Sequence, residues 1–369
     1  MARSLWAAGV PVLVITTAGR PATWSRSCRS IVIDRLDGEP LLSALLRAQR
    51  QIGGRPALFL ADEMAVFTIS EFRDELTQAY RFRLPPEPMV AALSDKAAFQ
   101  KLAEESGYPV PRSVVLQTPA DLDRLPRLEP PIIVKPIDKR LVHSGRVGRI
   151  FKTDTLDEAR MLCSDLVSNA NTMIAQEWIE GPDSDVYFCL FYRGRDGEVV
   201  SMFTGRKILA DPAGMGSTLI CRAAPDVRQA LEPLTASFAA CVDFAGMGSL
   251  EFKRDRKRDR FVIIEPTVGR ADWQEEIATL CGVNIPLAAY NHELGLPPLP
   301  SMAVRDDIAW RSSFLKRWPS TEPRRGAHVY DGFWRPNDPM PAILHYAFDT
   351  PFRYAIGPLL QGRRAGSTN

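Results

Sequence analysis

Several charged side chains stand where apolar segments end. Lys96 opens a helix in "SDKAAFQKL", Lys135 follows the apolar run "PIIV", and Arg206 and Lys207 close "EVVSMFTGRKI". Lysines aimed at one point suit a polyanion such as a triphosphate. Glu251 in "GSLEFK" and Glu265 at the end of "FVIIE" fall on the two strands of an expected hairpin. A carboxylate at the end of a buried strand is costly unless a cation faces it. Two carboxylates combined with phosphate oxygens suit Mg²⁺. The loop "HSGRVG", with Ser144 and Gly145, offers backbone N–H groups with little side-chain obstruction, which suits a phosphate cover. "QEWIEGPD", from Gln176 to Asp183, offers edge carbonyls and N–H groups to a base and acids to ribose hydroxyls.

Each of these residues also has a plain structural reading. Lys96 alone is an ordinary exposed helix-start lysine. Lys135 is harder to dismiss, because it leaves a buried strand. Glu251 and Glu265 can instead pair with the run "KRDRKRDR", which itself reads as a solvated hairpin turn. Trp178 can be core packing, and only its backbone matters to a base. His143 reads as a surface loop residue, since nothing nearby orients it. Trp310, Trp318 and Trp334 read as packing.

The elements that position these residues follow from periodicity and breakers. Residues 1–93 alternate helices and strands, which implies a parallel sheet. "VPVLVI" and "RPALFLAD" are the strands, with "TTAGRPATWSRSCRS" as a polar loop. "EPLLSALLRAQRQIGG" and "TISEFRDELTQAY" are helices. A second unit, 94–172, opens with Ser94 as helix cap, a helix to Gly107 and a strand carrying Lys135. A third, 173–297, opens with two strands around "EWIEGPD" and continues with a strand ending at Arg206 and Lys207. The loop "DPAGMGST", a long helix, the charged hairpin and a helical stretch complete it. Residues 298–369, rich in proline, arginine and aromatics, read as an irregular extension.

Composition narrows the function class. A chain of 369 residues is long enough for two or three lobes. A formal net charge of +2 argues for no nucleic-acid or membrane partner. The six cysteines form no Cys-x-x-Cys pair and the four histidines no His-x-x-x-His, so neither a zinc site nor a disulfide framework is expected. Reduced thiols and the absence of a membrane-length apolar stretch point to the cytoplasm. An NAD enzyme is disfavoured, because no Gly-x-Gly-x-x-Gly follows a strand.

The ordered set of an Asp-Lys helix, a "VKP" strand, a glycine-bearing loop, a "QEWIEG" connector and a Glu…Glu strand pair resembles the ATP-grasp superfamily. "IEPTVGRADWQEEI" resembles its carboxylate–amine ligase branch in particular. The resemblance runs closely over about residues 94–295. It implies an α/β and α+β protein in which two α+β subdomains clamp ATP behind a Rossmann-like N-terminal lobe. That lobe begins at a helix where the family has a strand and Gly-rich turn, so either Met1 is not the true start or the lobe lacks a strand.

The resemblance also implies roles. Lys96 and Lys135 would hold phosphates, together with Ser144 and Gly145. Glu177 would accept from the adenine amino group, the backbone of Trp178 and Ile179 would pair with the ring, and Gln176 opens that cofactor-binding stretch. Asp183 would take the ribose hydroxyls, with Asp185 close enough to compete. Lys207 would reach the γ-phosphate, with Arg206 beside it, and Arg270 would steady the transferred phosphoryl group. Glu251 and Glu265 would ligate Mg²⁺, or Mn²⁺. Thr267 stands where many family members have asparagine and would be a weaker ligand. Loop 208–220, with "GMG" at 214–216, is either an ordinary turn or a cover over the acyl acceptor. The implied reaction joins a small, amino-acid-like carboxylate to an amine through an acyl phosphate, releasing ADP and phosphate, in a chain that can form a homodimer. Alternatives are a non-amine acceptor such as a thiol, or a nucleotide-binding module without turnover.

Overall fold

The computed structural model describes residues 1–137, 150–168, 172–214, 216–315 and 328–349. A four-stranded and a seven-stranded sheet meet around a cleft, and an N-terminal lobe of helices with a two-stranded sheet packs against the larger one.

In the N-terminal lobe, strand β1 (Leu13–Thr16) pairs in parallel with β2 (Arg29–Val32). β2 lies partly in the stretch expected to be a polar loop. The expected strand "RPALFLAD" makes only a single bridge, Ala57 to Arg81. Pro56 has no N–H to extend that ladder, and its carbonyl only accepts from Arg81. Helix Gly38–Ile52 buries Leu41, Leu42, Leu45 and Ala48 at helical spacing. The next helical stretch breaks at Phe72 into Glu63–Glu71 and Arg73–Ala79.

A further helix, Glu87–Ser94, crosses the expected border at 93/94. Ser94 ends it, so Asp95 rather than Ser94 caps the following helix, Lys96–Glu105. Its carboxylate accepts the Ala97 and Ala98 N–H groups at 3.0 and 2.7 Å.

Strands β3 (Ser113–Leu116), β4 (Ile132–Pro136), β5 (Phe151–Thr153) and β6 (Met173–Glu177) form an antiparallel sheet in the order β3-β6-β4-β5. Helix Leu156–Ser168 and the 3₁₀ segment Pro119–Arg127 pack against it over Val114, Leu122, Ala159, Cys163 and Val167. Every residue of β6 is buried. The third unit was expected to open at 173, but β6 pairs inside this sheet, so the chain crosses between sheets at 178–185.

The second sheet has β7 (Val186–Arg193), β8 (Val199–Asp211), β9 (Ser217–Ala223), β10 (Gly246–Asp255), β11 (Arg260–Val268), β12 (Ile308–Arg311) and β13 (His328–Asp331), in the order β11-β10-β7-β8-β9-β12-β13. Its pairings are antiparallel except β12 with β13. Helix Arg228–Cys241 covers one face, where Phe238 and Phe244 meet Phe191 and Phe252. Helices Glu276–Leu280 and Ile285–Leu294 cover the other, where Ile277 and Ile285 meet Phe188 and Phe203.

The C-terminal extension is therefore more regular than its composition indicates. Its strands extend this sheet, and Trp310, expected to pack, is 3 % exposed and opposite Cys221. Trp334 is exposed, and Trp318 lies outside the described residues. The six cysteines are free thiols, four of them buried. No helix among the described residues is long and apolar enough to cross a membrane.

Candidate functional site

A cleft of about 300 Å³ opens between the two sheets. The four-stranded sheet contributes Lys135, whose Nζ donates to Gln176 Oε1 at 3.3 Å. Gln176 in turn donates to Gln100 Oε1 at 3.0 Å, and Gln100 donates to the Pro111 carbonyl at 2.7 Å. This buried amide chain fixes which end of Gln176 faces the lysine. Lys96, on the first turn of its helix, lines the same cleft. Burial holds the Lys135 ammonium below its usual pKa, and Lys96 adds to this. Glu265 and Glu251 pull the other way.

The seven-stranded sheet supplies the facing wall. Glu251 and Glu265 are direct partners on β10 and β11. Lys207 donates to the Gly216 carbonyl at 3.3 Å and lies 2.6 Å from Glu251 Oε2. Burial disfavours its charge, but Glu251, Glu265 and Asp272 more than offset this, and its pKa is raised. The Glu251 carboxyl is also held above the usual range, by burial and by Glu265, against the pull of Lys207. Three lysines and two glutamates thus converge, as the ordered charges implied. Among the described residues no group of three or more His, Cys, Asp or Glu is arranged to hold a metal ion. The glutamate pair fits Mg²⁺ that takes its remaining ligands from phosphate and water.

Lys207 stands within β8, which runs on to Asp211, and not at a strand end. Alternation along β8 sends Arg206 to the opposite face. There its guanidinium lies 4.9 Å from the Tyr187 ring and pairs with Asp226. Arg206 is therefore outside the cleft.

Thr267 shares the face of Glu265 but pairs with Ser249 and does not line the cleft. Arg270 donates to the Ala271 carbonyl at 3.2 Å and also lies off the lining. His143, Ser144 and Gly145 lie outside the described residues.

The connector between the sheets departs from its expected roles in detail. The Glu177 carboxylate is 4 % exposed and accepts from the Glu129 N–H at 2.9 Å and from Arg112 at 2.8 Å. The Trp178 N–H donates to the Pro131 carbonyl at 2.8 Å. Asp185 is held bidentately by Arg256 at 2.7 Å and is out of the competition for a ribose. Asp183 faces the cleft and accepts from the Ala210 and Gly214 N–H groups at 2.7 and 2.5 Å. These bonds tie the 210–214 turn to the connector. Gly214 sits at φ +76°, and a Cβ there would meet the Trp178 ring at 3.0 Å.

Sequence reasoning missed Lys253, Asp272, Arg112 and Arg258. Lys253 lines the cleft and donates to the Gly181 and Pro182 carbonyls, each at 2.9 Å. Asp272 accepts from Ser249 Oγ at 2.8 Å and from Gln274 at 3.1 Å. Both sit inside stretches marked by their charges, the charged run and "VGRADW", but Lys253's partners Gly181 and Pro182 and Asp272's partner Ser249 are distant in sequence.

No protein-family model matches the chain. It is 21% identical over 368 residues to D-aspartate ligase of Enterococcus faecium (strain Aus0004), covering 94% of this chain and 81% of the relative. Among solved structures it is similar to a biotin carboxylase–β,γ-ATP complex from Campylobacter jejuni, with TM-score 0.62 and 17% identity over 84% of this chain and 71% of that one. It is also similar to N5-carboxyaminoimidazole ribonucleotide synthetase from Thermus thermophilus, with TM-score 0.61 and 19% identity over 82% and 77%. A third is the biotin carboxylase domain of Hydrogenobacter thermophilus 2-oxoglutarate carboxylase, a dimer in complex with MgADP, with TM-score 0.61 and 16% identity over 84% and 70%. The chain has the ATP-grasp fold. Its likeness to D-aspartate ligase lies on the carboxylate–amine ligase side of that class.

Proposed function

We propose that this protein is an ATP-dependent carboxylate–amine ligase. The observation that carries the reading is the convergence of Lys96, Lys135 and Lys207 on one cleft with Glu251 and Glu265. Three cations match a triphosphate, and two carboxylates match the Mg²⁺ that accompanies it, with Mn²⁺ as the substitute. The metal, held by Glu251 and Glu265, would neutralise phosphate charge; Thr267, two residues on from Glu265 on the same face but off the cleft lining, would be a weaker third ligand.

The connector supports adenine as the base. With the Glu177 carboxylate and the Trp178 N–H engaged elsewhere, the Glu177 carbonyl and the Ile179 N–H, two residues apart and so on one edge of the extended connector, would serve as an acceptor–donor pair. Adenine presents the complementary amino donor and ring acceptor. Guanine presents both groups reversed. Each Asp183 oxygen accepts one backbone N–H and keeps a lone pair for a ribose hydroxyl.

The chemistry needs positioning and charge neutralisation, not a protein nucleophile. A carboxylate oxygen of the substrate attacks the γ-phosphorus and ADP leaves. The amine then attacks the acyl carbon, phosphate leaves, the amide bond forms and the nitrogen gives up a proton. Lys207 and Lys135 would steady the migrating phosphoryl charge. Arg270 would join them only by turning from the Ala271 carbonyl.

The carboxylate and the amine are small and amino-acid-like, and D-aspartate is the first carboxylate to test, given the relative. A four-part division with its first border past Ser94 and its second at the 178–185 connector, a cytoplasmic location and a homodimer belong to the same reading. The test is ADP release from MgATP on adding pooled D- and L-amino acids, followed by mass analysis of the product. Amide product supports the ligase. ADP release only with thiols favours the other acceptor class, and MgATP binding with no acceptor-dependent ADP release favours a binding module.

A further inference from the structure

The run "KRDRKRDR" reads from sequence as a solvated turn. In the structure the β10–β11 hairpin instead grips the connector between the sheets along its length. At the near end, Arg258 lies 3.5 Å from Glu177 Oε2 and 3.4 Å from Glu129 Oε2, and donates to Asp255 Oδ2 at 3.2 Å. In the middle, Lys253 holds the Gly181 and Pro182 carbonyls. At the far end, Arg256 forks onto Asp185. Lys257 reaches Glu129 at 3.4 Å. Arg112, from the four-stranded sheet, completes the set at Glu177 and Glu129, each at 2.8 Å.

The stretch held this way is the one that carries Trp178, Ile179 and Asp183. Its N–H and carbonyl groups can read a base only if their spacing is fixed, and few regular ladder bonds fix it. Glu177 is the last residue of β6 in one sheet, while its partner Arg258 lies in the turn that joins β10 and β11 of the other. A side-chain bond therefore sets how the two sheets meet at the base end of the cleft. Glu177 and Asp185 are buried, so each needs a cation: Arg256 forks onto Asp185, and Glu177 is shared by Arg112 at 2.8 Å and Arg258 at 3.5 Å. Exposure ranks the arginines. The Arg258 side chain is 31% exposed, that of Arg112 51% and that of Arg256 68%, so screening weakens Arg258 least, although Arg112 lies nearer to Glu177.

We infer that the basic hairpin is a positioning clamp for the nucleobase, with Arg258 as its principal residue, acting through Glu177 on the Trp178–Ile179 backbone. The inference rests on the nucleotide reading of the cleft. It makes Arg258 and Arg256 positioning residues, since neither lines the cleft.

The test compares wild type with Arg258→Ala, Arg258→Lys and Arg256→Ala. The readings are calorimetric binding of MgADP and steady-state KM for ATP against kcat. Arg258→Ala is expected to raise both Kd and KM about tenfold while kcat at saturating ATP stays within about twofold. Arg256→Ala is expected to raise them by only about threefold. Arg258→Lys recovers part of the loss, because lysine keeps the charge but not the fork. About 0.3 M KCl should raise KM in wild type more than in Arg258→Ala.

An Arg258→Ala protein with wild-type Kd and KM overturns the clamp. So does one that loses kcat with KM unchanged, which is the mark of a general structural defect. If Arg258→Ala fails to fold, the salt dependence of wild type and the Arg256→Ala measurement decide the matter. A folded wild type that binds no MgADP overturns the nucleotide reading itself, an outcome distinct from a clamp that fails while binding stands.

Discussion

Lys207→Met removes an ammonium and keeps most of its stem. In the wild type the Lys207 Nζ lies 2.6 Å from Glu251 Oε2, with the two side chains 7% and 21% exposed. Without it Glu251 loses its ion-pair partner while still facing Glu265 and Asp272, with Lys135 and Lys253 as weaker counter-charges. Removing one partner of a buried pair costs about 3–5 kcal/mol, but Glu251 keeps some contact with water and can take up a proton, so about 2 kcal/mol is expected at about pH 8. The sign of the pH dependence follows from the carboxyl. Its pKa in the folded variant lies above the unfolded value, so the variant loses stability as pH rises through the folded pKa. It recovers below the unfolded one. Urea unfolding should therefore show a wide gap between wild type and variant at about pH 8 and a narrow one at about pH 5. Adding Glu251→Gln to Lys207→Met should restore stability but not turnover. ADP release should fall about 10²–10³-fold in the single variant. A gap that does not change with pH, or turnover within about threefold of wild type, would refute the reasoning.

Three other variants test the rest of the site and fold. Glu265→Gln should lower acceptor-dependent ADP release at least about 100-fold and weaken its response to Mg²⁺, read by metal titration of turnover. Arg206→Ala should leave kcat and KM unchanged, because its partners Asp226 and Tyr187 lie on the other face of β8; stability should drop by at most about 1 kcal/mol, read by urea midpoint. Trp310→Ala should lower stability by about 3–5 kcal/mol, since a buried strand residue of the seven-stranded sheet is truncated; a loss under about 1 kcal/mol would mean that the C-terminal strands do not belong to the cooperative core.

The charged residues of the cleft were legible because each follows a strong local signal. Lys135 follows "PIIV", Glu265 follows "FVII", and the hairpin between Glu251 and Glu265 announces itself by its charged turn. Strand phase was not equally legible. Arg206 and Lys207 are adjacent in sequence, and only the register of β8 against β7 and β9 separates the residue that enters the cleft from the one that leaves it. The partners of the connector were hidden for another reason. Glu177 meets Arg112 and Arg258, whose positions differ from its own by 65 and 81 residues, and no local pattern announces such pairs. The border at 173 failed because β6 has the apolar texture of a buried strand in either sheet. Residues 308–311, "IAWR", are too short to stand out from a proline-rich background, and pairing with β9 gives them their structure.

The β10–β11 ladder carries a register shift between Glu251 and Phe252, just past the glutamate pair. This gives the hairpin a parity rule for insertions and deletions. Lengthening both arms together by two residues each between the shift and the tip would preserve which side each tip residue faces. Adding one residue to the β10 arm alone, between Glu251 and Lys253, would reverse the side chains of that arm beyond it, turning Lys253 away from the connector while leaving Glu251 opposite Glu265. Natural variation in hairpin length is thus expected in matched steps of two residues per arm, and odd steps should uncouple base selection from phosphate chemistry.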